Sequence, residues 1–499
     1  MPRRISGFAL IACAVGTLTA CSDGNDIGNP CNGAEAPAVR LFLQQLTSSS
    51  VIIKWRGDAT AACLGRAQDR LNMYVEATST EGDHKEALFT GLSPQSMYYY
   101  SVGGADTAPG DQYFTTSPNA GALPDDGNTR IWLIGDSGTG GDDEREDHEG
   151  EAAEVLAGMR QFVATDGQEI DLFLMLGDNA YTSGTDTNYQ QAVFETYPAL
   201  LKTHSLWPTI GNHEMGFFGI SSSSDPDSHT VRPGDEPITM PYLGIFSLPA
   251  NGESGGVASG TEQYYSFDFG NVHLVSLDSQ LSARDDDQRA TMRSWLMDDL
   301  SSNTADWTVV IFHHPPYSKG ANHDSDTVVP QRPFDLPQKL MREEFVPIFD
   351  DHGVDVVYGG HSHSYERSYY LHDHTGTSDT FSPAMHAELA GGDASKPASG
   401  RIGETYAQLS ATSGGVDDRV VYTVAGNSGK ADDSAGVLTD PAEWLRHAAH
   451  IEQPADTVSP KRRGLNVLGS VIVDATSDQL IASFINVNGE VLDSFTITR

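Results

Sequence analysis

Apolar residues in the first quarter of the chain come in short bursts, at 39–46, 51–55, 73–77, 98–102 and 113–115, and each burst predicts a β-strand. Turn-forming residues separate the bursts at the spacing of a small all-β sandwich. A stretch with Pro118 and Pro124 among Gly, Asn and Asp closes this part. Beyond it the period changes. Apolar runs at 131–135, 172–177, 272–277, 307–312 and 354–358 predict strands, alternating with segments of helical period at 152–162 and about 338–352. Gln288, Met292, Trp295, Leu296 and Leu300 also share one helical face. The tail from 420 to 497 returns to a β-rich pattern. This alternation predicts an α/β domain, a β-core flanked by helices, preceded by the small all-β sandwich. The implied division is 38–117 for the sandwich, 118–128 for a linker and 129–499 for the α/β domain.

The first 37 residues follow neither pattern. Arg3 and Arg4 precede an apolar run from 5 to 20 that is too short to span a bilayer, so 1–20 reads as an export signal. Its end, Leu18-Thr19-Ala20-Cys21, resembles the lipobox of bacterial lipoproteins. That resemblance implies a lipid on Cys21, a tether over 21–37, and a place in the bacterial cell envelope, facing the periplasm or at the cell surface. Cys13 leaves with the signal. In an exported chain the remaining pair, Cys31 and Cys63, points to a disulfide rather than a redox or metal site.

Composition narrows the function classes. The chain has 499 residues, 38% of them apolar, which is enough for two or three domains with true cores and excludes wholesale disorder. With 69 acidic against 30 basic side chains, the net charge of −39 disfavours nucleic acid and anionic membrane surfaces as partners. Membrane contact is therefore expected only through a lipid at Cys21.

Candidate chemistry concentrates where strands end. Five times an apolar run stops and a polar cluster follows: Gly135-Asp136-Ser137-Gly138, Gly177-Asp178-Asn179-Ala180-Tyr181, Gly211-Asn212-His213-Glu214, His313-His314-Pro315 and Gly360-His361-Ser362-His363. Strand ends in α/β proteins converge on one crevice, so these clusters can meet. Oxygen donors from Asp, Asn and Tyr together with imidazoles suit two transition metals about 3.5 to 4 Å apart. Each piece alone is a common turn. Asp278, which follows the run 272–277 with no His or Asn beside it, reads as such a turn, and His372 and His374 read as surface residues of a polar loop.

The ordered set resembles the metallophosphoesterases, and specifically the purple acid phosphatases, whose blocks run D-x-G, G-D-x-x-Y, G-N-H-E, V-x-x-H and G-H-x-H. Flanking stretches are similar too: Tyr264-Tyr265-Ser266-Phe267-Asp268-Phe269-Gly270-Asn271-Val272-His273, Trp295-Leu296 and Tyr365-Glu366-Arg367. The likeness covers about 129–499; the insertions 215–260 and 371–418 fall outside the motifs. Ahead of it, Leu92-Ser93-Pro94-Gln95-Ser96-Met97-Tyr98 resembles the tyrosine corner of fibronectin type III domains, with Trp55 as the core tryptophan. Many dimetal phosphoesterases open with D-x-H, but here that position is Gly138, and Tyr181 follows Asp178 by three residues. A phenolate is a hard anionic donor that favours a trivalent ion.

The resemblance implies that Asp136, Tyr181 and His363 bind Fe(III), that Asp178 bridges, and that Asn212, His313 and His361 hold a divalent Zn, Mn or Fe. It implies that Asn212, His213 and His323 contact the phosphate, with His213 and His323 as the catalytic histidines, and that His314 stands behind His313. The implied activity is that of a dimetal acid phosphatase, in which hydroxide raised at the metal pair hydrolyses phosphate monoesters without a covalent intermediate. A phosphodiesterase or nucleotidase on the same centre is the alternative. A non-catalytic surface-binding protein, with the sandwich as its working part, is a third.

Overall fold

A computed structural model describes residues 28–138, 151–216, 231–235, 237–327, 335–393, 395–408, 419–436, 439–453 and 462–499. The expected signal at 1–20, the lipidation site Cys21, the start of the tether and parts of both insertions lie outside the described residues.

Two small sheets build the N-terminal part. Strands Val39–Gln44, Ser50–Arg56, His84–Thr90 and Thr78–Ser79 pair in that order into one antiparallel sheet; Met73–Glu76, Ala61–Gly65, Met97–Val102 and Tyr113–Thr115 form a second. Inward residues of both sheets share one core that contains Trp55, Phe89, Tyr98, Tyr100 and Phe114. The Ser93 N–H donates to the Tyr98 hydroxyl at 3.0 Å. Cys31 and Cys63 are disulfide-bonded, tying the incoming chain to the second sheet. Two of these strands carry little sequence signal. Ala61–Gly65 is short and lacks β-branched residues, and His84–Thr90 opens with the polar His84, Lys85 and Glu86 before a short apolar run.

The larger part stacks two seven-stranded sheets. In the first, Leu206–Pro208, Leu172–Met175 and Thr129–Ile134 run parallel, and the C-terminal strands Gly469–Ala475, Gln479–Asn486 and Val491–Thr498 continue the sheet antiparallel. In the second, Val272–Ser276, Trp307–Ile311, Val356–Gly359 and Val420–Ala425 run parallel, flanked by the antiparallel strands Tyr265–Phe269 and Tyr365–Leu371. The period of two decides which face each residue serves. Leu274, Val309, Val356 and Val421 join the core between the sheets. Their neighbours Val275, Val310, Val357 and Val420 face Met292, Trp295, Leu296 and Phe345 of the outer helices.

The helix Asp286–Ser302 starts where the Asp285 carboxylate caps the N–H groups of Asp287 and Gln288, with Asp286 and Asp287 favouring its positive end. The helix expected near 338–352 runs Leu336–Leu340 and Val346–Asp351 with a widened turn, Met341–Phe345, between them. Pro347 supplies the reason: its ring crowds the carbonyl four residues back, and the Val346 N–H instead reaches the Met341 carbonyl. His374 corrects the sequence reading. It is buried, its ring stacked on Tyr317 at 5.5 Å, because the loop folds back so that the Tyr317 hydroxyl meets the His374 carbonyl. Asp278 is a turn anchor whose carboxylate accepts from the N–H groups of Gln280, Leu281 and Ser282.

The Cys31–Cys63 bond closes a 32-residue separation. Its loss is expected to destabilise the sandwich by about 3 kcal/mol through the freed chain entropy. Calorimetry with and without reductant, or on Cys31→Ala/Cys63→Ala, checks this; an unshifted transition would refute it.

Candidate metal centre

The parallel strands of both sheets end at one edge, and the polar clusters follow at once. Asp136 comes two residues after Thr129–Ile134, Asp178 three after Leu172–Met175, Asn212 four after Leu206–Pro208, His313 two after Trp307–Ile311, and His361 two after Val356–Gly359. A strand cannot turn sharply at its end in extended geometry. Asp136, Asp178 and His361 accordingly take left-handed backbone, with φ of 53°, 50° and 69°. Such conformations gather at functional sites, where neighbouring structure holds them. Here the holding bonds lace the loops together: Asp136 N–H to the Gly177 carbonyl, Gly138 N–H to the Asp178 carbonyl, and Tyr181 N–H to the Gly138 carbonyl.

These loops bring the seven expected ligand side chains into one cluster. The Tyr181 hydroxyl lies 3.1 Å from Asp136 Oδ1, 3.1 Å from Asp178 Oδ2 and 3.3 Å from His363 Nε2. Asn212 Oδ1 lies 3.0 Å from His313 Nε2 and 2.9 Å from His361 Nδ1, and Asp178 Oδ2 stands 3.3 Å from His313 Nε2. Asp178 therefore touches both halves. Position 138 admits no side chain: a Cβ there would come within 2.6 Å of the Ala180 nitrogen and 2.7 Å of the Tyr181 nitrogen. No imidazole can stand at that position, because the backbone of Ala180 and Tyr181 occupies the space.

His213 N–H donates to Asp178 Oδ1 at 2.8 Å, its Nδ1 meets the Thr182 carbonyl at 2.6 Å, and its Nε2 stays 3.7 Å from Asp178 Oδ2. His323 packs its ring 3.8 Å from that of His361. Its loop lacks periodic structure but is pinned by Lys319, whose ammonium meets Asp324 at 3.0 Å and Asp326 at 2.9 Å. His314 stands one layer back, with Nδ1 on the Ser279 hydroxyl at 2.8 Å.

Electrostatics show what the cluster is built for. Burial, and after it the Asp178 carboxylate, push the Asp136 carboxyl above its ordinary range against the opposing pull of His313 and His363. Burial opposes ionisation of Asp178 as well, but His313 and His213 outweigh it and hold that carboxyl low. Burial and both carboxylates push the Tyr181 hydroxyl far above its ordinary value. Two carboxylates each 3.1 Å from the same phenol oxygen repel it and one another as anions unless a cation lies among them. The groups Asp136–Asp178–His313 and His313–His314–His361 each place their ligand atoms within 4.8 Å of one another, a spread that one ion can bridge.

The imidazoles are oriented for metal binding from outside. His313 Nδ1 meets the Leu176 carbonyl at 3.0 Å, His361 Nε2 meets Asp335 Oδ1 at 3.3 Å, and His363 Nδ1 faces Asp432 at 3.5 Å. Each ring thus turns its other nitrogen inward, toward the oxygens of Asn212 or Tyr181, the arrangement in which a carboxylate or carbonyl fixes the tautomer. Sequence reading missed Asp335 and Asp432. Asp335 is buried and also meets His323 Nδ1 at 3.1 Å, so one carboxylate steadies two of the expected functional histidines. Glu214 sits in a block that carries no mark of its structural role. Its carboxylate accepts N–H groups of Asp178, Asn179 and Gly211 at 2.9, 2.8 and 2.6 Å, tying two ligand loops together.

Residues 129–365 match the family model described as calcineurin-like phosphoesterase. This segment is a calcineurin-like phosphoesterase domain. Among similar proteins, purple acid phosphatase 22 of Arabidopsis thaliana is 31% identical over 207 residues, covering 40% of this chain and 39% of that one. Purple acid phosphatase 23 of the same plant is 26% identical over 343 residues, 65% of each chain. The chain thus spans from about two fifths to about two thirds of the length of these curated relatives. Among solved structures, purple acid phosphatase PPD1 from yellow lupin (Lupinus luteus) seeds superposes with a TM-score of 0.61 at 17% identity, covering 93% of this chain and 74% of that one. At that identity the likeness speaks for the fold, which is the α/β architecture expected from the sequence.

Asp335 stands outside the five sequence blocks of the phosphoesterase domain, so it offers an independent check on the cluster. Asp335→Ala is expected to weaken metal binding by about 10-fold or more, the usual effect of removing an outer partner of a ligand histidine. Metal titration against the wild type measures it. Unchanged affinity would mean that the His361 contact has no orienting role.

Proposed function

We propose that this protein is an exported dimetal acid phosphatase of the purple acid phosphatase kind, acting on phosphate monoesters. One observation carries the reading: a buried tyrosine hydroxyl stands among Asp136, Asp178 and His363, while position 138 has no room for a side chain. In this reading Asp136, Tyr181 and His363 would hold Fe(III), Asn212, His313 and His361 would hold a divalent Zn, Mn or Fe, and Asp178, which touches both groups of residues, would serve both. Such a pair, when bound, neutralises the phosphate oxygens and supplies hydroxide from water at acidic pH.

The chain's own residues do the rest. Asn212 commits its side-chain oxygen to the His313 and His361 side of the cluster, which leaves its amide N–H groups to meet a phosphate oxygen. His213, with Nδ1 committed to the Thr182 carbonyl, presents Nε2 to the substrate as the proton donor for the leaving oxygen. His323, held by Asp335, faces the phosphate from the other side. Burial lowers the His213 pKa despite the nearby Asp178 carboxylate, so its imidazolium is populated only in acid. A reaction that needs that proton slows as pH rises.

The N-terminal part is read as a fibronectin type III-like sandwich, supported by the Ser93–Tyr98 contact and the buried Trp55. Among the described residues no helix is long and apolar enough to cross a membrane, and membrane attachment is assigned to a lipid on Cys21.

A visible absorption band from tyrosinate to Fe(III) is expected in metal-replete protein and is expected to vanish in Tyr181→Phe. A band that survives would overturn the ligand assignment. Assays with mono- and diester substrates over pH 4–9 are expected to show monoesterase activity falling toward alkaline pH. His213→Ala is expected to reduce kcat/KM by about 100-fold or more and to flatten the alkaline limb. A rate that rises steadily to pH 9, or a clear preference for diesters, would contradict the acid monoesterase reading.

A further inference from the structure

The metal centre as read above gives the N-terminal sandwich no task, yet two of its arginines reach into the phosphoesterase domain and close on one carboxylate. Arg40 lies where the pairing of Val39–Gln44 with Ser50–Arg56 slips, and its φ of 50° places it in left-handed backbone that an arginine seldom adopts. The slip aims its guanidinium across the domain boundary. Nη1 donates to Asp186 Oδ1 at 2.7 Å, Nη2 to Asp186 Oδ2 at 2.9 Å and to the Asp186 carbonyl at 2.8 Å, and Nε to Gln190 Oε1 at 2.8 Å. Arg56, at the end of its strand, adds a second fork to the same carboxylate at 2.8 and 2.6 Å. The Arg40 side chain is only 3% exposed and stacks over Phe194. Arg56 and the Asp186 carboxylate are partly exposed, but a bidentate double fork anchored on a buried arginine differs from a simple surface ion pair, which contributes little.

Asp186 belongs to the arm that carries Tyr181. Within that arm Gly184 N–H meets the Ala180 carbonyl at 3.0 Å, Asn188 Oδ1 accepts from Ser183 and Thr185, and Thr185 caps Asn188. Gly184 lies flush on the next ligand loop, since a Cβ there would come within 2.7 Å of Glu214 Cα. The Thr182 carbonyl holds His213. The segment 180–190 is therefore one hydrogen-bonded unit, with Tyr181 at its inner end and the arginine fork at its outer end.

We propose that Arg40 and Arg56 make the sandwich a positioning element for the metal centre: by gripping Asp186 they hold the arm so that Tyr181 stays in register with Asp136, Asp178 and His363, and Thr182 with His213. This role rests on Tyr181 being a ligand. Simple docking of the domains is already served elsewhere, by Gln44 Nε2 to the Leu206 carbonyl at 2.7 Å, the Tyr100 hydroxyl to the Lys202 carbonyl at 2.9 Å and Lys54 to the Ser247 hydroxyl at 2.8 Å. None of those contacts touches the arm.

The test uses the full-length, metal-replete protein. Arg40→Ala/Arg56→Ala, and the milder Arg56→Ala should the double variant fail to fold, are compared with Tyr100→Phe, which weakens docking away from the arm. The arginine variants are expected to shift or weaken the tyrosinate band and to lower kcat by about 10-fold or more, with KM changed less. Tyr100→Phe is expected to lower the melting temperature alone, and Arg40→Lys/Arg56→Lys to recover part of the lost kcat. Hydrogen exchange supplies a readout independent of iron: protection of amides 180–190 is expected to drop in the arginine variants only. A wild type without the visible band would sink the ferric reading, and the exchange result would still decide whether the arm is held by the fork. Arginine variants that keep wild-type band, kcat and exchange, and lose only thermal stability, would overturn the positioning role.

Discussion

Two carboxylates that each stand 3.1 Å from one phenol oxygen in a buried setting form the constraint on which the structure turns. Brought together as anions they would repel strongly, and burial removes the water that could screen them. The fold tolerates the cluster because every element around it is fixed twice over. The ligand backbones take left-handed turns at strand ends, Glu214 gathers the N–H groups of two loops, and each inward-facing imidazole is gripped at its outer nitrogen by a carbonyl or a carboxylate. Such an arrangement concentrates negative potential at one point, which is what a highly charged cation requires.

The two stacked sheets explain why the cluster can exist at all. Parallel strands bury both faces, so they read as near-continuous apolar runs and place all their ends at one edge. The loops at that edge are then free to carry polar side chains, because the core beneath them is complete. Antiparallel strands from the far end of the chain extend the first sheet, so residues past 469 support an edge whose first clustered side chain, Asp136, lies more than three hundred positions earlier. Regions that the site does not use follow ordinary rules: Asp285 caps a helix, Asp278 anchors a turn, and His374 packs on Tyr317.

Much of this was legible in the sequence, for a definite reason. The five blocks each join a strand end to a ligand within a few residues, so local period and residue type suffice to pair them, and the exchange of Gly138 with Tyr181 involves neighbouring loops of one small unit. The strands Ala61–Gly65 and His84–Thr90 escaped notice because their residues are neutral in propensity and are held by partners on either side. His374 was misplaced because a polar loop says nothing about which face of the protein it folds onto.

Asp335 and Asp432 show the boundary most clearly. Neither belongs to a periodic run, and an aspartate in a loop has no local mark that distinguishes an outer partner of a histidine from a solvated side chain; only a distance of 3.3 or 3.5 Å to a ring nitrogen confers the role. The same holds for Arg40 and Arg56, whose shared partner lies some 130 to 146 positions away. The layered architecture, the order of the polar blocks and the chemical type of each clustered side chain are written in spacing and residue identity. Which carboxylate steadies which imidazole, and how the first domain grips the second, were decided only by tertiary structure, because such contacts depend on where distant loops come to rest.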